Sequence, residues 1–243
     1  MFMSDKGYTI VEMLIAMAIV GIVLAGIYGL VISSSRTYLA QNAIVEMQAD
    51  GRAAMDFMAR ELRQAFDNPT ISTTTTGNDT ISFNRVEETG YSSGGNNGTT
   101  LNDTRKLWVA GSFAPSSTSS FTVRIIRGTG SGQAPKTISN NSSTQLTLSQ
   151  AWGTVPDATS VYVITRNKTF TRTSPSDNVL RYRIGTADAG SNPLAENITS
   201  HSFSMPSPNT LRITLTARTS SIDPTTKQYR YYTLTEDVRI RNM

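Results

Sequence analysis

Residues 13–32 read MLIAMAIVGIVLAGIYGLVI, twenty in a row without a charged side chain. At 1.5 Å rise per residue a helix of that length is about 30 Å long, the thickness of a bilayer's hydrocarbon core. A helix that covers the core of a soluble domain keeps a polar face, and this run has none. It therefore reads as a membrane span, and whatever follows must fold beside the surface that covers it. The run is too long for the apolar region of a secretory signal, and no small-x-small cleavage site follows it. Lys6 precedes it and Arg36 follows it. That asymmetry is too weak to orient the segment.

A single carboxylate interrupts the approach to the span. Glu12 lies between Val11 and Met13. Such a charge costs on the order of 2.5–3.5 kcal/mol at the centre of a membrane helix. Two readings fit: Glu12 marks the headgroup edge of the span, or it has a cationic partner.

Beyond residue 33 the pattern changes. Tyr38, Val45, Met55, Met58, Leu62 and Phe66 recur at spacings of mostly three, four or seven, with charged residues between them. This predicts an amphipathic helix with one apolar stripe. Asp67-Asn68-Pro69 provides a stop, because proline cannot continue the hydrogen-bond ladder. One helix over 8–66 would be about 90 Å long. Gly21, Gly26, Gly29 and Gly51 are bend points or close-packing points within it. The second half of the stripe packs on the chain's own head. The first half has nothing of its own to pack on and needs lipid or other subunits.

After Pro69 the chain turns to β structure. Charged residues are only 16% of the whole, and Thr, Ser, Asn and Gly are abundant, a composition of strands joined by long loops. Strands are expected at 80–86, 107–110, 121–127, 144–148, 160–165, 168–173, 179–184, 211–217 and 230–240. The alternation over 211–218 predicts a strand with one buried face. Asp223-Pro224-Thr225-Thr226 predicts a turn, after which the chain returns antiparallel. Two Gly/Asn/Ser/Thr-rich stretches, 89–103 and 128–141, read as loops.

Little in this head suggests chemistry. There is no cysteine and only one histidine, His201. That rules out Cys-ligated metals and multi-histidine sites and leaves a catalytic triad one candidate base. No Gly-x-Ser-x-Gly elbow accompanies His201, which is expected at a strand edge in a structural or exposed role. Gly128-Thr129-Gly130-Ser131-Gly132 lacks the Lys-Ser/Thr of a phosphate loop. The expectation is a chain that is not an enzyme, with no catalytic residue, no metal and no cofactor. Residues 67–243 carry 17 Lys+Arg against 12 Asp+Glu, an excess that reads as ordinary solubilising charge. The sharper alternative is DNA contact through Arg181, Tyr182, Arg183, Arg230 and Tyr232, an aromatic-plus-arginine set of the kind that stacks on bases and neutralises phosphates.

The segment Lys6-Gly7-Tyr8-Thr9-Ile10-Val11-Glu12-Met13-Leu14 resembles the class III signal of type IV pilins and type II secretion pseudopilins. The resemblance implies that a prepilin peptidase cuts between Gly7 and Tyr8 on the cytoplasmic face. It also implies N-methylation of Tyr8, which stands where the usual first residue is phenylalanine. Glu12 becomes the fifth residue of the mature chain, where it serves subunit assembly by pairing with a neighbouring subunit's α-amine. That amine has a reference pKa near 8 and is cationic, and each charge of such a pair is costly without the other.

Three further features, Arg36 with Tyr38, Met47-Gln48 with Gly51-Arg52, and Arg60-Glu61-Leu62-Arg63, resemble PilW-type minor pilins and the related J-type minor pseudopilins. So does the closing Val238-Arg239-Ile240-Arg241-Asn242. The resemblance implies an α+β type IV pilin fold, a long N-terminal helix packed on an antiparallel β-sheet head. Its parts would be a leader (1–7), a transmembrane and assembly helix (8–33), an amphipathic continuation (34–66) and a β-rich head (67–243) carrying an inserted β subdomain at about 107–183. The implied partners are other minor and major pilins, prepilin peptidase, the inner membrane with its pilus assembly platform, and a tip adhesin. The implied location is the bacterial inner membrane with a periplasmic head, then the pilus. The implied function is a minor pilin in assembly or initiation near the tip. A type II secretion pseudopilin and a tip module binding DNA or a surface are the alternatives.

Overall fold

The computed structural model describes residues 9–73, 79–116, 119–172, 177–185 and 192–240. The chain divides into two compact units, one formed by Met1–Glu46 with Thr219–Arg230, the other by Met47–Arg218 with Tyr231–Met243. A single long helix, α1 (Ile10–Arg63), contributes to both.

α1 has 54 residues, about 80 Å at the standard rise, and runs through all four of its glycines. Gly51 is a point of close approach. A Cβ there would lie 3.2 Å from the Leu234 side chain and 3.8 Å from Ala217. The helix ends at Arg63 rather than at the expected Phe66. The ladder stops short of Pro69 because strand β2 (Asp79–Tyr91) captures the chain first. The Phe66 N–H donates to the Asn84 carbonyl at 2.8 Å, and the Val86 N–H donates to the Gln64 carbonyl at 3.1 Å. Two sheet-type bonds satisfy backbone groups that another half-turn of helix would have satisfied.

In the second unit β2 joins β1 (Thr70–Thr73), β3 (Thr100–Asn102), β4 (Phe121–Arg127), β5 (Lys136–Asn141), β6 (Gln145–Leu148), β7 (Val161–Arg172), β8 (Leu180–Ile184) and β9 (Asn192–Ala195) in one antiparallel sheet. The path is β1-β2-β7-β4-β5-β6-β3, with β8 also on β7 and β9 on β8. A second sheet holds β10 (Ile198–Ser207), β11 (Thr210–Arg218) and β12 (Tyr231–Arg239) in that order. The architecture is α+β, one long N-terminal helix followed by antiparallel sheet, as expected.

β7 is the spine of the large sheet. It reads in sequence as two strands, 160–165 and 168–173, but is one strand of 12 residues. The polar Arg166-Asn167 between them stays in the ladder because Asn84 and Arg85 of β2 pair across from it. The strand expected at 107–110 does not form. Its Trp108 N–H donates to the Ser143 carbonyl and its indole N–H to Glu88, while Leu107 and Val109 point to solvent at 92% and 76% exposure. Among the described residues no strand pairs with this segment. Conversely, the stretches read as loops contain β3, β5 and the end of β2. Polar residues enter those strands because neighbours supply the pairing that local propensity does not.

Residues 47–63 of α1 are buried along one face, with Met47, Ala54, Met55, Met58, Ala59 and Leu62 inside. Phe57 packs edge-on against Phe170 at 6.2 Å and Tyr182 at 5.1 Å. A second apolar cluster runs across β7, β4, β5, β6 and β3 of the large sheet, around Leu101, Val123, Ile138, Leu146, Trp152 and Ile164. The predicted turn at Asp223 forms. Its carboxylate accepts the Thr225 and Thr226 N–H groups, and β12 returns antiparallel to β11 through nine uninterrupted pairs.

Candidate functional site

Gly7 and Tyr8, the residues of the expected cleavage site, lie outside the described residues. The next residue opens the site. Thr9 caps α1, and Glu12 is the third residue of the helix. The Glu12 N–H donates to Thr9 Oγ1 at 3.2 Å. In return the Thr9 N–H and Thr9 Oγ1 both donate to Glu12 Oε2, at 2.9 Å and 3.1 Å. This reciprocal arrangement is a capping box. It satisfies two donors that a helix start leaves without partners, and the carboxylate sits at the positive end of the helix dipole.

Sequence reasoning singled out Glu12 but missed Thr9. The signal was present: Thr-x-x-Glu directly before an apolar run is the pattern of a capped helix start. The geometry gives Glu12 a partner within its own chain. A carboxylate that accepts two hydrogen bonds in the first turn is far less costly beside hydrocarbon than an isolated one. Both members of the box lie on the helix side of the Gly7–Tyr8 bond, so cutting there would leave it whole.

Beyond the box every large apolar side chain from Ile10 to Val31 is more than half exposed, among them Ile22 at 74% and Leu30 at 73%. The segment's most apolar 18-residue window has a mean hydropathy of 2.6 and is not buried. By length and composition it is able to cross a membrane. An apolar surface of this extent on a chain that folds its other half normally marks a site of contact with lipid or protein.

The residues read as a DNA-contacting set belong to two sheets and to both units. Arg181, Tyr182 and Arg183 lie on β8 of the large sheet, and Tyr232 lies on β12 of the small one. Arg181 pairs with Asp177 at 3.2 Å. Tyr182 turns inward. Its hydroxyl donates to Glu61 Oε2 at 2.9 Å, its ring packs on Phe57 and Phe170, and the Lys168 ammonium lies 5.2 Å from its centroid. Burial, then the Glu61 bond, pushes its phenol up from the ordinary value. The half-buried ring is thus engaged by the chain's own side chains. Arg230 belongs to the other unit, where it pairs with Asp223 at 2.7 Å.

His201 is a core residue of β10, 1% exposed, rather than an exposed one. It bonds through Nε2 to the Asp79 carbonyl. Burial holds its imidazole down to about 4.

Residues 2–28 match the family described as Prokaryotic N-terminal methylation motif. No curated protein and no solved structure matches the chain. The matched segment covers the capping box and most of the apolar run, and it is a motif of structural subunits rather than of enzymes. The chain therefore carries the class III signal of prepilin-like proteins on an apolar helix ahead of an antiparallel β head, a combination that fits a membrane-anchored, pilin-like protein.

Proposed function

We propose that this chain is a minor subunit of a type IV pilus that takes part in assembly or initiation near the fibre tip. Prepilin peptidase cuts between Gly7 and Tyr8 and methylates the new amine of Tyr8. The apolar helix holds the subunit in the inner membrane with its head in the periplasm until the assembly platform moves it among other minor and major pilins. The observation that carries this reading is the pairing of the methylation motif at 2–28 with a helix whose apolar half has no cover of its own.

Glu12 is the assembly residue. In the free chain its carboxylate is held by Thr9. On joining a fibre it meets the α-amine of a neighbouring subunit, exchanging neutral donors for a charged one, which makes a stronger bond. The capping box keeps the carboxylate oriented and tolerable in the membrane until that partner arrives.

Two measurements test the reading. Mass spectrometry of the chain from its native cells should find an N-terminus at Tyr8 bearing one methyl group; a chain that keeps residues 1–7 in the membrane overturns it. In a strain lacking the wild-type copy, Glu12→Ala should be processed but absent from sheared fibres. Labelled chain found throughout the shaft, or only in a secretion complex, would remove the minor-pilin assignment while leaving the processing intact.

A further inference from the structure

Asn96 and Asn97 lie in the loop between β2 and β3, Asn102 ends β3 and Asn141 ends β5. Three of these side chains are tied down at both ends. The Asn96 amide nitrogen donates to Ser92 Oγ and the Pro156 carbonyl, that of Asn102 to the Gly94 and Gly95 carbonyls, and that of Asn141 to the Val109 and Ser142 carbonyls. Their Oδ1 atoms accept from the Asn102 N–H, Gln145 Nε2 and the Phe113 N–H. Asn97 differs. It is exposed, and among the described residues its amide nitrogen meets no acceptor.

Asn97 also opens the only Asn-Gly pair in the sequence. Its Oδ1 accepts the Thr99 N–H at 2.9 Å and the Thr99 hydroxyl at 3.4 Å. An asparagine bonded to the N–H two residues on closes an Asx turn. The ring so closed contains both the Asn97 Cγ and the Gly98 nitrogen, and it holds them together. The Gly98 N–H donates to nothing among the described residues, and a Cβ built at Gly98 would meet nothing within 4 Å. The surrounding backbone is anchored. The Trp152 N–H donates to the Gly98 carbonyl at 2.7 Å and the Leu148 N–H to the Thr99 carbonyl at 2.8 Å, while the Asn97 N–H donates to Thr100 Oγ1 at 3.0 Å.

We propose that this turn modifies itself, converting Asn97 to aspartate or isoaspartate through a cyclic imide. The Gly98 nitrogen attacks the Asn97 Cγ and gives up its proton to solvent. The new N–Cγ bond forms, the Cγ–Nδ2 bond breaks, and Nδ2 takes a proton and leaves as ammonia. Water then opens the imide at either carbonyl, so the one co-reactant is solvent. Negative charge develops on Asn97 Oδ1 in the tetrahedral intermediate, and the two Thr99 donors already point at that atom. Glycine at 98 leaves the attacking nitrogen without a neighbouring side chain. Either product puts a carboxylate on an exposed turn and lowers the formal net charge of +4 by one unit. In the aspartate the Thr99 bonds become charge-assisted and stronger. In the isoaspartate the main chain gains a methylene beside the Trp152 bond. The head thereby records its age on its surface, whichever machine it serves.

The test follows the full, detergent-solubilised chain through storage in mildly alkaline buffer made with heavy-oxygen water. Peptide mass spectrometry should find Asn97 converted from amide to acid, with one heavy oxygen taken up, while Asn96, Asn102 and Asn141 stay amides. The folded chain should convert at least as fast as the same chain held unfolded in urea, because the turn assembles the reacting groups. Gly98→Ala, which has room for its methyl group, should slow the conversion by about tenfold by crowding the attacking nitrogen, with the melting temperature not lowered. If that variant melts early, Asn97→Gln, whose imide needs a larger ring, should keep its amide over the same period. An Asn97 that stays an amide overturns the proposal. So does a fold that protects it relative to urea, an earlier conversion at Asn96, Asn102 or Asn141, or a well-folded Gly98→Ala chain that converts at the original rate.

Discussion

The two halves of α1 use the same apolar residue types to opposite ends. In 10–31 the large apolar side chains run all round the helix and are exposed. In 47–63 they keep to one face, and Met58 and Leu62 are 0% exposed. The second half carries its polar partners with it: Glu61 accepts the Tyr182 hydroxyl and pairs with Arg85 at 3.2 Å. The first half carries only the Thr9–Glu12 box at its start. The contrast teaches that hydrophobicity alone does not say where a helix belongs. A one-sided stripe needs a partner within the chain, and an all-round one needs a partner outside it.

The largest test of that contrast is a matched pair of truncations. Leu62→Ala should lower the stability of the head by about 2–5 kcal/mol, the range for an emptied core position. Leu24→Ala should leave it unchanged. Thermal unfolding in detergent reads both, and equal effects would break the distinction.

Next comes Glu61. Removing Glu61 takes the acceptor from the half-buried Tyr182 hydroxyl, while Arg85 keeps Gln64 and Glu87, so Glu61→Ala should cost about 1–3 kcal/mol. Glu61→Gln, which still accepts from Tyr182, should cost clearly less. Denaturant titration compares them, and indistinguishable variants would show that shape rather than charge fixes this end of the helix.

Acid should weaken the head of comparable size through His201. Its folded pKa of about 4 lies below the ordinary 6.5, so the unfolded chain takes up the proton first as pH falls. The head is fully stable above pH 6.5 and loses up to about 3 kcal/mol by pH 4. His201→Gln should flatten that part of the stability curve; an unchanged slope would assign the acid sensitivity to carboxylates.

The smallest effect belongs to the exposed half. Thr9→Ala should fray the first turn at a cost of about 1 kcal/mol. It would be seen as faster amide exchange at 10–13 with an unaltered melting temperature. A drop in the head's melting temperature would mean that the two halves are coupled.

Much of this was legible in the residues. The twenty uncharged positions at 13–32 and the stripe through Met55, Met58 and Leu62 needed no structure, because helix periodicity is local. The alternating strand at 211–218 and the Asp223 turn were equally plain. What failed were features that depend on distant partners. Arg166-Asn167 looks like a break until Asn84 and Arg85 pair with it. The segment 107–110 looks like a strand until its neighbours prove to be the Ser143 carbonyl and Glu88. β3 and β5 look like loops until β6 pairs with both. At the N-terminus Glu12 was readable as a costly charge, whereas its bond to Thr9 required the pattern to be taken as a cap.

By itself the sequence determined that this chain has an apolar helix without a polar face, a motif of prepilin type before it and a β-rich head after it. Each of these rests on short-range order, in which charge, periodicity and capping act within a few residues. Only the tertiary structure decided where the helix stops, that Tyr182 bonds to Glu61, and that His201 is sealed in the core. Those outcomes turn on which backbone and side-chain groups find partners across tens of residues. Burial makes an unpartnered polar group too costly to leave, and no local pattern records which partner it will find.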